Sequence, residues 1–169
     1  MAVKIIEIHG ANAHKTFSKT RVGCRGIVIK DSRMLISHEV NVDYYLIPGG
    51  GLENNETIEE CCVREVCEET GYIVKPITHF LTMDEYYEEY KYISHYFICN
   101  VVGKSEQNLT AAEIERCLIP EWIDPEKMLE IYSKHDNFAA SNEEKRGAYL
   151  REYTALTEYF SSRRKDISE

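Results

Sequence analysis

Three glutamates fall within one turn of a segment with the pattern of an amphipathic helix. Glu65, Glu68 and Glu69 lie near the end of a helix predicted over about residues 57–70, which begins with a capping box at Thr57. At 100° per residue, the second and third lie about 60° and 40° to either side of the first, opposite an apolar face. Clustered carboxylate oxygens suit Mg²⁺ or Mn²⁺.

This cluster has two interpretations, a metal site and a solvated acidic face. Like charges at this spacing destabilise a helix slightly, and the dipole near a helix C-terminus disfavours anions. The helix also follows a run of glycines, Gly49–Gly51, which we expect to form a flexible loop. The unfavourable electrostatics and the glycines together favour the metal site.

The stretch from Gly50 to Tyr72 resembles the Nudix box, G-x5-E-x7-R-E-U-x-E-E-x-G-U, in which U is aliphatic. The final aliphatic position departs, since it holds Tyr72, and we expect that side chain to pack rather than react. The positions that match are Gly50, Glu56, Arg64, Glu65, Val66, Glu68, Glu69 and Gly71.

The resemblance implies a fold, a cofactor and a set of roles. It implies a Nudix-type α/β/α sandwich and a Mg²⁺ cofactor, with Mn²⁺ as its substitute. Glu56 and Arg64 would form a structural ion pair within the box. The catalytic and metal-binding set that it implies is Glu65, Glu68 and Glu69 with the backbone carbonyl of Gly49.

Residues outside the box complete the expected site. In the Nudix family a glutamate activates the attacking water, from the box or from a later loop. The later candidates here are Glu113, Glu115 and Glu121, of which we favour Glu113, and each could equally be a surface residue. Arg25 could bind a substrate phosphate, or it could be a strand arginine paired with an acidic neighbour. His38 could supply a positive charge in this region, although a lone surface histidine is the commoner case.

Many tyrosines concentrate in one part of the chain. Such side chains can stack on a nucleotide base, but they more often pack a sheet face or a subunit interface. We also expect a homodimer, from this zone and the apolar stripe of the C-terminal helix. The tyrosines concerned are Tyr86, Tyr87, Tyr90, Tyr92 and Tyr96.

The order of predicted elements indicates the α/β class. We expect one domain over residues 1–169, with a mixed sheet, helices on both faces and an additional C-terminal helix over about residues 142–163. A second capping box, Ser141 with Glu144, would open that helix. The predicted strands are 3–8, 22–29, 34–37, 44–47, 72–74, 77–81, 92–102 and 120–123, and a further helix is predicted over 125–134.

Composition excludes several classes of protein. A formal net charge of −9 disfavours binding to nucleic-acid polymers. With no apolar run of 18 residues we expect no membrane span, and Lys4 and Glu7 make a signal peptide improbable. The six cysteines form no C-x-x-C pair, which is typical of reduced, buried cysteines in a cytoplasmic protein.

The resemblance to the Nudix box therefore implies a hydrolase for a small nucleotide-type substrate. It would cleave the pyrophosphate linkage of a nucleoside diphosphate joined to another moiety, by attack of metal-activated water on phosphorus. Two alternatives share the fold, a non-catalytic nucleotide-binding module and a prenyl-diphosphate isomerase. An intact set of box carboxylates favours catalysis, and the chain carries no clear signature of the isomerase.

Overall fold

The computed structural model describes residues 3–166, with side chains up to residue 163. The chain divides into two compact units, Met1–Trp122 and Ile123–Glu169. Within residues 3–166, no helix is long and apolar enough to cross a membrane. The prediction of a single domain over residues 1–169 stays a prediction.

A mixed sheet of eight strands dominates the first unit. Its strand order is β1-β6-β7-β2-β3-β4, with β5 beside β2 and β8 beside β3. The pairs β1–β6 and β2–β7 are parallel, whereas β6–β7, β2–β3, β3–β4 and β2–β5 are antiparallel. The strands are β1 Lys4–His9, β2 Lys19–Lys30, β3 Arg33–Glu39, β4 Tyr44–Leu46, β5 Gly49–Gly51, β6 Tyr72–Tyr87, β7 Tyr90–Lys104 and β8 Leu118–Ile123.

Helix α1, Ile58–Thr70, packs on this sheet. Its start is set by the predicted capping box, in which Thr57 accepts the Glu60 N–H and Glu60 accepts the Thr57 N–H. Gly71 ends it in the left-handed conformation, with φ of 73°. The apolar face of the helix covers a core that includes Cys24, Val28, Leu35, Cys61, Cys62, Val66, Phe97 and Cys99.

The longest strands differ from their prediction. We predicted two strands separated at Lys75–Pro76, but β6 runs unbroken from Tyr72 to Tyr87. The register of β6 against β7 shifts between Pro76 and Thr78, and β1 pairs with β6 only from Leu81 onward. A proline is tolerated here because a bulge removes the need for its missing N–H.

The second unit contains two longer helices, α3 Pro125–Ser133 and α4 Glu143–Asp166. The first is capped as predicted, since the side chain of Asp124 accepts the N–H of Glu126 and Pro125 is the first residue of the helix. The predicted capping box at Ser141 is wrong, because Asn142 is the residue whose side chain accepts the Lys145 N–H.

All six cysteines are free, as predicted. Four of them are buried, whereas Cys67 is half-buried and Cys117 is exposed. The prediction that every cysteine is buried is therefore wrong for Cys117, which follows the short helix α2, Ala111–Glu115.

Candidate active site

The three glycines before α1 form a strand, not the flexible loop that we predicted. Their register places Gly49 opposite Arg25 and Gly50 opposite Cys24. Gly49 has φ of 152°, and a Cβ there would lie 2.1 Å from the carbonyl oxygen of Cys24. A Cβ on Gly50 would lie 2.3 Å from Oε2 of Glu65, so this backbone closely approaches a box carboxylate, which would have to move to accept a larger residue.

A charged network joins the loop before α1 to the helix. The guanidinium of Arg64 donates from Nε and Nη2 to the two oxygens of Glu56, at 2.9 and 2.6 Å. Nη2 also donates to the carbonyl of Gly51 at 3.0 Å. The arginine lowers the pKa of Glu56 to about 2, and the carboxylates raise the pKa of Arg64. The structure thus brings Glu56 and Arg64 together as expected for a box ion pair.

Two of the box glutamates share the same arginine. Nη1 of Arg64 lies 2.8 Å from Glu65 and 3.2 Å from Glu68. Burial raises the pKa of Glu65, with Arg64 acting against it. The neighbouring carboxylates of Glu68 and Glu113 raise it further.

The third box glutamate is buried between α1 and the sheet. Glu69 is 7% exposed, and its Oε2 accepts the hydroxyl of Ser37 at 2.6 Å and the N–H of Gly49 at 3.2 Å. Burial raises its pKa to about 8, against the effect of these donors and of the nearby Arg25 cation. The N–H of Gly49 makes this contact, and the expected role of its carbonyl as a metal ligand stays a prediction.

The chemistry of these groups fits a hard divalent cation. The donors are all oxygens, and the carboxylates of Glu56, Glu65, Glu68 and Glu69 face the guanidiniums of Arg25 and Arg64, which leaves a surplus of negative charge. A buried carboxylate with a raised pKa is stabilised in its charged form by a nearby cation. Among residues 3–166, however, no group of three or more acidic, histidine or cysteine side chains is arranged to hold an ion. Binding would therefore require the side chains of Glu65, Glu68 and Glu69 to rearrange.

Two of the candidates outside the box, Glu113 and Arg25, lie near the box glutamates. Glu113 lies within electrostatic range of Glu65, while its Oε2 accepts the N–H of Thr110 in a second capping box. Arg25 donates to the carbonyl of Ile47 at 3.0 Å and lies close enough to Glu69 to affect its pKa. Both are positioned near the box, and their roles stay predictions.

Two of the other candidates, His38 and Glu121, contact each other. His38 is not the surface residue that we expected but is buried, at 9% exposed. Its Nδ1 lies 2.6 Å from a carboxylate oxygen of Glu121, and its ring stacks on Tyr45 at 4.0 Å. Glu121 is thus engaged by a histidine, and the carbonyl of Glu115 accepts the side-chain N–H of Asn41.

Sequence reasoning missed Ser37, the residue that donates to Glu69. It lies on β3 two residues after Leu35 and therefore on the same face of the strand, towards the core under α1. That alternation was a usable signal once β3 was known to lie beside the box helix.

Comparison with known proteins identifies the family. The family model of the NUDIX domain matches residues 20–142. A curated ADP-ribose pyrophosphatase of Methanocaldococcus jannaschii is 32% identical over 105 residues, which are 59% of this chain and 62% of that protein. The chain thus matches less than two thirds of that relative's length.

Solved structures share the fold. A NUDIX hydrolase from Nitrosomonas europaea is 22% identical, with a TM-score of 0.58 over 81% of this chain and 90% of its own. A MutT NUDIX hydrolase from Burkholderia pseudomallei is 19% identical, with a TM-score of 0.51 over 64% of this chain and 86% of its own. These likenesses confirm the predicted fold class, a mixed sheet with helices at its sides. The match over residues 20–142, which includes every box position, shows that this chain belongs to the Nudix family.

Proposed function

We propose that this protein hydrolyses the pyrophosphate linkage of a nucleoside diphosphate joined to a second moiety, with Mg²⁺ as cofactor. The observation that supports this best is the arrangement of the box carboxylates. Glu65 lies against the backbone of Gly50, and Glu69 accepts the N–H of Gly49. Acidic side chains and a close glycine backbone together can hold a cation beside a polyphosphate.

ADP-ribose is the first substrate to test. The relative from M. jannaschii carries the name ADP-ribose pyrophosphatase, and its similarity to this chain extends over 105 residues. Hydrolysis of ADP-ribose forms one P–O bond from water and breaks the bridging P–O bond, which gives AMP and ribose 5-phosphate.

Each protein group has a distinct part in this reaction. Mg²⁺ bound by Glu65, Glu68 and Glu69 would supply charge neutralisation at the diphosphate oxygens. Arg25, which lies near Glu69, would pair with a phosphate oxygen and fix the position of the substrate. Arg64 would hold the box loop in place through Glu56.

Glu113 would take the proton from the attacking water. One of its oxygens accepts the N–H of Thr110, which orients the carboxylate, and the second oxygen is the proton acceptor in this proposal. Its carboxylate lies close enough to Glu65 to raise the pKa of that residue, which supports the choice of Glu113 over Glu115 and Glu121.

A product-release screen tests the proposal. The protein is incubated with Mg²⁺ and a panel of ADP-ribose, other nucleoside diphosphate sugars, dinucleotides and nucleoside triphosphates, and the phosphate products are measured. We expect hydrolysis of at least one nucleoside diphosphate derivative. Binding of such a compound without product release would instead support a non-catalytic module.

Matched variants test the role of Glu113. We expect Glu113→Gln to reduce turnover about a hundredfold, the size of a general-base contribution. The control is Glu115→Gln on the same short helix, which should keep parental turnover. Equal turnover in both variants would remove Glu113 from the mechanism.

Assembly as a homodimer is also a proposal. Much of the predicted apolar stripe of α4 is buried, including Tyr149 and Leu156, so it supports a dimer less than we expected. The exposed apolar side chains that remain include Ile5, Ile77 and Val102. A monomeric mass by light scattering at high protein concentration would contradict the dimer.

We also infer a location in the cytoplasm. Six free cysteines are the state expected in a reducing compartment. Fractionation of the source cells, followed by detection of the protein, tests the location.

A further inference from the structure

Two histidines and a threonine converge on one face of the β6–β7 hairpin, outside the Nudix box. Nε2 of His79, Nδ1 of His95 and Oγ1 of Thr82 are mutually 3.2 Å apart. Thr82 and His95 face each other directly across the two strands.

A backbone irregularity brings His79 into this group. His79 and Thr82 are three residues apart, and in a regular strand they would point to opposite faces. The register of β6 against β7 shifts between His79 and Leu81, and that shift turns His79 to the face of Thr82. Bulges that redirect a side chain in this way are enriched at functional sites.

Hydrogen bonding alone does not satisfy this triangle. An imidazole nitrogen is either a donor or an acceptor, never both. A closed ring of three hydrogen bonds would require every atom to donate one proton and accept another. At least one of the three contacts therefore lacks a hydrogen bond.

A bound metal ion would satisfy all three atoms at once. Ligands that lie about 2.0 Å from a tetrahedral zinc ion are about 3.3 Å from one another. The observed spacing of 3.2 Å is close to this value for each pair. We propose that His79, His95 and Thr82 form a second metal site, which binds a transition-metal cation such as Zn²⁺ and leaves its remaining coordination to water.

The surroundings suit such a site. The ring of His79 stacks on Phe97 at 4.7 Å, which fixes its orientation. Burial lowers the pKa of both histidines, so their rings are neutral and able to ligate near pH 7. Glu59, at the start of α1, acts on both rings as a nearby negative charge.

The chemistry separates this site from the box. The box offers oxygen donors, which prefer Mg²⁺, whereas two imidazoles prefer zinc, copper or nickel. Glu59 and Glu65 are six residues apart on α1, a rise of about 9 Å along the helix. Zinc at the hairpin site would cross-link β6 and β7 and stabilise the fold, and it would take no part in hydrolysis.

Thermal unfolding with zinc tests the proposal. Tag-free protein is stripped with a chelator, supplied with excess Mg²⁺ to occupy the box, and titrated with Zn²⁺. With zinc at about a hundred times its Kd, one-site binding predicts a rise in Tm of several degrees for a chain of this size. His79→Gln and His95→Gln should abolish the rise, while the control His14→Gln, at an exposed position, should keep it.

Imidazole NMR provides a second measurement on the parent protein, which needs no variant to fold. Zinc should change the signals of two of the six histidines, and Mg²⁺ should change neither. The proposal would be overturned if zinc left the Tm of the parent unchanged, or if it raised the Tm of His79→Gln and His95→Gln as much as that of the parent. A change in the signals of other histidines would overturn it as well.

Discussion

Replacing Glu69 by Gln separates two effects of this side chain. Its burial lowers the stability of the metal-free protein, and its carboxylate is expected to bind Mg²⁺. Burial raises the pKa of Glu69 from an ordinary 4.5 to about 8, so the metal-free protein binds a proton there at pH 7. In the unfolded chain Glu69 is ionised at pH 7, so protonating it on folding lowers the free energy of unfolding by about 3 kcal/mol, since each pKa unit corresponds to about 1.4 kcal/mol. Glutamine removes this cost, and its carbonyl can still accept from Ser37 and Gly49. Housing its NH₂ group offsets part of the gain, which leaves about 1–2 kcal/mol.

The metal-free Glu69→Gln variant should therefore melt about 2–8 °C above the parent at pH 7. Because folding of the parent takes up a proton at Glu69, its stability falls as the pH rises from 4.5 to about 8, and the variant should lose less over that range.

With Mg²⁺ the parent should melt above the Glu69→Gln variant. The metal-induced rise in Tm should shrink in the variant, and hydrolysis should fall about a hundredfold or more. Calorimetry with and without Mg²⁺ measures the first effect, and the exposed Glu59→Gln on the same helix is the control. A variant with the parent's metal-free Tm, magnesium shift and turnover would refute this reasoning.

Three further perturbations follow from the same contacts. Arg64→Met leaves the carboxylate of Glu56 without its bidentate partner and should lower the free energy of unfolding, measured in urea, by about 3 kcal/mol. A decrease below about 0.5 kcal/mol, the size expected for a surface substitution, would contradict this. Gly50→Ala places a Cβ 2.3 Å from Oε2 of Glu65, whose flexible side chain can move, so turnover should fall more than stability, and parental turnover would count against the close approach. Burial lowers the pKa of His95, so stability should fall as the pH drops below 6.5, and His95→Gln should lose less stability between pH 7 and 5.5 when unfolding is followed in urea.

The box helix was predictable because its signals are local. Thr57 with Glu60 marked its start, Gly71 marked its end, and both caps form as expected. The spacing of Glu65, Glu68 and Glu69 likewise predicted one helical face. The fold class followed from the order of strands and helices, which depends on periodicity more than on exact boundaries.

The prediction failed where tertiary pairing outweighed local preference. Glycine disfavours strands, yet Gly49–Gly51 pairs with β2, where the backbone of Cys24 lies too close to Gly49 to leave room for a Cβ. Ser37 lies 32 residues before Glu69, and no local pattern connects them.

Two helix starts show the limits of capping signals. Thr110 with Glu113 was a visible capping box, and its helix went unpredicted because it spans a single short element, Ala111–Glu115. At α4, the predicted cap Ser141 is followed by Asn142, a residue of similar cap preference, and the observed cap is Asn142.

Hydrolysis of ADP-ribose in ¹⁸O-labelled water tests the central claim most directly. With Mg²⁺, we expect AMP and ribose 5-phosphate, with one labelled oxygen in one of the two phosphate groups, and we expect no products after chelation of all divalent metal. Products at an undiminished rate after chelation would contradict the role of the box carboxylates. The absence of labelled phosphate products from ADP-ribose and every other nucleoside diphosphate derivative would contradict pyrophosphate hydrolysis itself.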